Sequence, residues 1–220
     1  MYVSAFTKTQ ELFIWAIPVL FAITVHEVAH GWVAKQCGDK TAYILGRLTL
    51  NPFKHIDPIG TVLVPLLLFF STGFVFGWAK PVPVSERNFK NPKRDMILVA
   101  LAGPGVNILM ALIWAVILQL ASTLLYNTGT LALVLHNMAI AGIIVNVLLA
   151  CFNILPIPPL DGSRVLAVFL KGRLALWYYN IEKYGLFIIA FLLFTGVLSN
   201  VLHPLMQAVF SMIGAMVSVF

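Results

Sequence analysis

The run Leu12–Ala34, LFIWAIPVLFAITVHEVAHGWVA, decides the fold. Coiled as a helix at 1.5 Å per residue, it is long enough to cross about 30 Å of hydrocarbon. Yet it carries His26, Glu27 and His30. An ionised side chain in mid-membrane costs about 2.5–3.5 kcal/mol even on the most lenient scale, so such residues are functional by default. Composition agrees with the membrane reading. Hydrophobic residues make up 60% of the 220-residue chain, charged residues 10%, and mean hydropathy is +0.95. A soluble domain carries about 25% charged residues, and a globule of this size cannot hide so much apolar surface. Disordered, collagenous and disulfide-rich secreted classes are excluded. Only Lys8 is basic before the run and no small-residue cleavage site follows it, so a removable leader is not expected.

The remaining chain alternates apolar runs with short polar ones. The polar stretch Lys35–Pro58 contains Tyr43–Leu50, which is strand-like in composition. The second apolar run, Ile59–Trp78, holds Pro65 and the turn-prone Ser71-Thr72-Gly73. A basic loop, Ala79–Asp95, precedes the third run, Met96–Leu125, and the uncharged loop Tyr126–Thr130 precedes the fourth, Leu131–Phe152. The fourth ends in Asn153-Ile-Leu-Pro156-Ile-Pro158-Pro159-Leu-Asp161-Gly162, which cannot continue a helix. The tail Tyr184–Phe220 is apolar, with a break expected near Asn200–Pro204.

These segments predict an all-α polytopic membrane protein with about five to six membrane segments. Both loops flanking 59–78 are basic. A single crossing would place one of them outside, against the positive-inside tendency, so 59–78 is expected to re-enter or form a hairpin. Both loops and the basic stretch 163–183 then lie in the cytoplasm, and the N-terminus and 126–130 lie outside. A single domain is expected over 1–220, with a core at about 12–171 and C-terminal membrane helices at 184–220. The net charge of +6 reads as a topology signal, so no nucleic-acid partner is expected. Cys37 and Cys151 give no disulfide framework.

His26-Glu27-Val28-Ala29-His30 has the pattern H-E-x-x-H. Four residues at 3.6 per turn put both imidazoles on one helix face, close enough to share one zinc. Glu27 stands beside them as a general base for a water. With this content of His and Glu, chance yields the pattern about 0.002 times per chain. A hydrolytic zinc needs a third protein ligand and one open position. Asp161 is the only acidic residue in the second half that ends a membrane run, and its charge would help balance Zn²⁺ below the membrane surface. The rivals are His55, expected to be solvated; His136, near the opposite face; and His203, expected in the break before Pro204.

With these residues in view, the chain resembles the site-2 protease family of intramembrane zinc metalloproteases. The resemblance rests on 26–30, on Ala102-Gly-Pro-Gly-Val-Asn107, and on Asn153…Pro156…Asp161-Gly162. It implies zinc on His26, His30 and Asp161, Glu27 as general base, and cleavage of a membrane-spanning protein within the bilayer. The implied setting is a bacterial or archaeal plasma membrane, with the active site toward the cytoplasm. Neither a PDZ nor a CBS domain accompanies these motifs. Asn153 reads equally as a donor to substrate or oxyanion and as a helix C-cap. Asn107 reads as an inter-helix hydrogen bonder, and Gly103 and Gly105 as sites of close helix contact. Asn137 and Asn146 carry no functional expectation.

Rival readings fit less well. Prenyl-protein peptidases use a glutamate as third ligand, and Glu86 and Glu182 lie in loops. Membrane hydroxylases need more than the 5 histidines present. A transporter, or a catalytically inactive zinc-binding scaffold, is the alternative from another class. A helical substrate shields its own peptide bonds, so an exposed strand edge would help to hold it extended. Tyr43–Leu50 and Gly77–Val84 are expected to form a small membrane-associated sheet, with Pro81 and Pro83 confining the second segment to an edge.

Overall fold

The computed structural model describes residues 6–64, 67, 77, 79–123 and 129–217. Helix α1, Lys8–Gln36, starts at a capping box: Thr7 Oγ1 accepts from the Gln10 amide, and Gln10 Oε1 accepts from the Thr7 amide at 2.9 Å. It runs through Pro18 and ends at Cys37. A short helix α2 follows at Thr41–Ile44. Helices α3, Pro92–Thr123, and α4, Thr130–Asn153, pack against each other and against α1 to form the core. The short α5, Asp161–Ala167, closes on α3. Helices α6, Gly172–Ile181, and α7, Gly185–Phe194, lead to α8, Val197–Val217, which packs on α3 and α4.

Small residues set the helix spacing. Ala22, Ala111, Ala115, Ala139 and Ala150 are buried between the helices, the usual way membrane helices approach closely. A Cβ on Gly142 would overlap the Trp114 indole, so this glycine lets the ring lie flat on α4.

Among the described residues four helices are long and apolar enough to cross a membrane: Thr9–Gln36, Pro92–Thr123, Thr130–Asn153 and Val197–Val217. This is fewer than the expected five to six. Part of the difference lies in the tail. Its break falls at Thr195–Gly196, where Gly196 adopts φ +75°, rather than at Asn200–Pro204. Pro204 sits inside α8, since membrane helices tolerate proline where neighbours satisfy the freed carbonyl. The 10 residues of α7 span about 15 Å, half of a bilayer core. His203 accordingly lies within α8.

The region between α1 and α3 departs from the expected sheet, and no strand is present among the described residues. Residues 41–44 are helical because Asp39 Oδ1 accepts from the Thr41 amide and hydroxyl, which starts a turn. The partner segment cannot form a ladder either. Pro81 and Pro83 lack N–H groups, and the intervening Val82 amide is bonded to a side chain of α1.

The two basic loops nevertheless lie at one end of the bundle. The Lys80 amide donates to His55 O at 2.9 Å, and the Lys90 amide to Cys37 O at 3.1 Å. Buried Asp39 accepts from the Ser85 amide at 2.7 Å and Asn88 Nδ2 at 2.8 Å. Burial pushes its carboxyl up, but the bonds from Asn88, Ser85 and Thr41 outweigh this and hold it below the usual carboxylate range. The chain therefore leaves near His55 and returns at Lys80 on the same side. A helical turn at Pro58–Leu63, capped by Asp57, begins that excursion. The expected re-entry at Pro65 and Ser71-Thr72-Gly73 lies outside the described residues.

Candidate active site

His26 and His30 lie one turn apart in the second half of α1, and both are buried. Asp161 opens α5, which packs on α3 directly opposite. Gly162 makes this possible: a Cβ there would collide with the carbonyls of Ile154 and Leu155 at the end of α4. The Asp-Gly pair thus delivers the carboxylate and lets its helix tuck against the end of α4.

The three side chains converge. His26 Nε2 and His30 Nε2 are 3.0 Å apart, and Asp161 Oδ2 lies 3.3 and 3.2 Å from them respectively. Zinc bound tetrahedrally at about 2.0–2.1 Å separates neighbouring ligand atoms by about 3.3–3.4 Å, close to these values. No other such cluster of metal-ligating side chains exists among the described residues.

Hydrogen bonds on the far side of each ring settle which nitrogen faces the centre. His30 Nδ1 donates to Val99 O at 2.7 Å. His26 Nδ1 donates to Asn107 Oδ1 at 2.5 Å. Asn107 is held in that orientation because its Nδ2 donates to Asn146 Oδ1 at 2.8 Å, and Asn146 Nδ2 donates to Gly142 O at 2.8 Å. Both Nδ1 atoms meet acceptors, so each Nδ1 carries the proton in the neutral ring and each Nε2 presents a lone pair. Two lone pairs and a carboxylate oxygen then face one another, and buried Asp161 Oδ2 has no hydrogen-bond partner among the described residues. Such a cluster is repulsive unless a cation sits at its centre. The donor set, two imidazoles and one carboxylate, is one that catalytic zinc uses.

Asn107 therefore does bond between helices, as expected, but its partner is His26, one of the three converging side chains. Such supporting partners orient a ligand ring and raise its basicity. Asn146, without a functional role in the sequence reading, backs it. Gly103 is more than a helix contact: a Cβ there would overlap the facing nitrogens of His26 and His30. Gly103 and Asn107, four apart on α3, form one stripe facing the triad, and that spacing was visible in the sequence. Gly105 meets nothing within 4 Å among the described residues, so the close contact expected there is not found.

Glu27 lies on α1 beside His26, and its Oε2 accepts from the Val82 amide at 2.7 Å. Asn153 ends α4, where its Nδ2 donates to Leu149 O at 3.0 Å in its own helix. The rival ligands are elsewhere. His55 is buried rather than solvated, with Nε2 donating to Thr49 O at 2.9 Å. His136 pairs with Ser122 at 3.2 Å between the end of α3 and the start of α4, opposite the triad. His203 is exposed on α8.

Comparison with known proteins points to a family of metalloproteases. A sequence model described as peptidase family M50 matches residues 14–199. YwhC of Bacillus subtilis, named a candidate zinc metalloprotease, is 38% identical over 195 residues, covering 87% of this chain and 85% of its own. Rip2 of Mycolicibacterium smegmatis, named in the same way, is 28% identical over 181 residues, 82% of this chain and 66% of its own. A relative from Methanocaldococcus jannaschii with a name of the same kind is 34% identical over 103 residues, 46% of this chain and 50% of its own. The chain thus spans just under two thirds of the mycobacterial protein and half of the archaeal one. No solved structure matches the chain.

Proposed function

The chain belongs to peptidase family M50 and is a membrane metalloprotease, and from that premise we propose that it is a zinc endopeptidase cutting membrane-spanning proteins within the bilayer. The observation that carries this reading is the triad in α1 and α5. Two imidazole lone pairs from a helix fit to span a membrane and an unpartnered carboxylate oxygen at the start of α5 stand 3.0–3.3 Å apart. Residues 12–171 serve as the catalytic core in this reading, and 184–220 as supporting membrane helices. The substrate is a transmembrane segment, and its cleavage would release a signalling fragment, as in regulated intramembrane proteolysis.

His26, His30 and Asp161 would hold the zinc, leaving one position open. When bound, zinc supplies Lewis-acid chemistry: it polarises a carbonyl and makes water a nucleophile near neutral pH. Asn107 and the Val99 carbonyl keep both ligand rings in the tautomer that presents Nε2. Glu27 takes a proton from the attacking water and passes it to the departing amine. Asn153, at the end of α4 before the turn to Asp161, is our candidate donor to the scissile carbonyl.

Purified protein in liposomes, given a transmembrane substrate, is expected to lose cleavage on treatment with a strong zinc chelator and regain it on adding zinc. Cleavage that persists without zinc contradicts the reading. We place the site toward the cytoplasm because both loops at its end of the bundle are basic. A cysteine replacing Ser85 should react with an impermeant reagent only from that side; reaction from the exterior reverses the orientation.

A further inference from the structure

Of the residues 81–83, Val82 alone has an amide hydrogen, because Pro81 and Pro83 lack one. That hydrogen is donated to Glu27 Oε2 at 2.7 Å. The amide is held in place from several directions. Val82 is buried, and its Cγ1 lies 2.8 Å from where a Cβ of Gly31 would stand, so the side chain packs on α1 one turn beyond Glu27. Immediately before it, Arg47 Nη2 donates to Lys80 O at 2.9 Å and to Pro81 O at 3.4 Å. The Lys80 amide donates to His55 O at 2.9 Å, and the buried His55 ring donates to Thr49 O at 2.9 Å. The segment is thus tied to α1 by Val82 and to residues 47–55 by two kinds of hydrogen bond.

A glutamate side chain has three rotatable bonds and loses about 1.5–2 kcal/mol of rotamer freedom when fixed. Proton transfer needs one carboxylate oxygen within hydrogen-bond reach of the reacting water. A bond from a rigid amide to Oε2 selects the rotamer and commits one oxygen. No bond to Oε1 is formed among the described residues, so that oxygen is the one left for the water.

We propose that the Val82 amide, isolated between two prolines and anchored through Arg47, positions Glu27 for proton transfer. The inference rests on Glu27 being the general base. Val82 acts through Glu27, so its effect belongs to turnover rather than to zinc or substrate affinity. Val82→Pro removes the amide hydrogen, whereas Val82→Ala trims the side chain and keeps it.

The test compares these variants with the intact protein in liposomes, measuring kcat and KM, zinc content, and the visible spectrum of the Co²⁺-substituted protein. Val82→Pro should lose roughly tenfold to a hundredfold in kcat, the range that a charge-assisted hydrogen bond spans. Its KM, zinc content and Co²⁺ spectrum should match those of the intact protein. Val82→Ala should turn over at least about tenfold faster than Val82→Pro. Equal kcat for the two variants overturns the proposal, and so does a loss carried by KM or by metal content. If Val82→Pro does not fold, Arg47→Gln reads the same quantity with every amide intact. Reduced kcat at unchanged KM supports the anchor, and unchanged kcat overturns it. Failure of the zinc-protease reading would show separately, as absent zinc-dependent cleavage in the unaltered protein.

Discussion

Glu27→Gln is expected to lower cleavage by roughly a hundred- to ten-thousand-fold, the contribution of a positioned general base, while the protein stays folded and keeps its metal site. Glutamine has nearly the volume of glutamate and its Oε1 can still accept the Val82 amide hydrogen. It cannot take a proton from water at neutral pH. The three converging side chains, His26, His30 and Asp161, are untouched. Zinc content and turnover should therefore separate: metal near one per chain, turnover close to background. The same variant should hold substrate uncleaved, so capture from native membranes followed by mass spectrometry would identify it. Turnover equal to that of the intact protein removes Glu27 from the mechanism.

Asp161→Asn should act in the opposite way, through the metal. Asp161 Oδ2 has no hydrogen-bond partner among the described residues, and its near neighbours are the two facing imidazole nitrogens. The amide is close in shape but neutral, so a buried Zn²⁺ would lose the only anionic member of its ligand set. An uncompensated charge in a low-dielectric interior is strongly disfavoured. Loss of a supporting partner costs 10–100-fold in metal affinity, so loss of this ligand should exceed about a hundredfold. Competition with a chromophoric chelator measures it, and cleavage should fall in parallel. Zinc affinity equal to that of the intact protein would place the third ligand elsewhere.

The three converging side chains were legible in the sequence for a simple reason. The spacing of His26 and His30 is a property of the α-helix alone, and Asp161 stood out as a charge at the end of an apolar run. The residues that make the triad work were harder to see. Gly103 and Gly162 matter through what their missing side chains leave room for, which depends on a second helix. Asn107 looked like an ordinary inter-helix hydrogen bonder and Asn146 carried no expectation at all, until His26 was found at the end of their chain.

The loops were read least well. Tyr43–Leu50 has strand-like composition, but a strand needs a partner with free amides, and in 79–85 Pro81 and Pro83 have none while those of Lys80, Val82 and Ser85 are bonded elsewhere. His55 looked like a solvated loop residue because the bond to Thr49 O and the return of the chain at Lys80 are tertiary events. In the tail, Pro204 was the loudest breaker by sequence, yet Gly196 makes the turn because it can adopt a positive φ.

X-ray absorption at the zinc edge on the purified protein tests the central claim most directly. Zinc held by His26, His30 and Asp161 should show two imidazole nitrogens at about 2.0–2.1 Å, oxygen ligands completing the shell, and no sulfur. A thiolate-rich shell, or a protein that retains no zinc when active, would contradict the account.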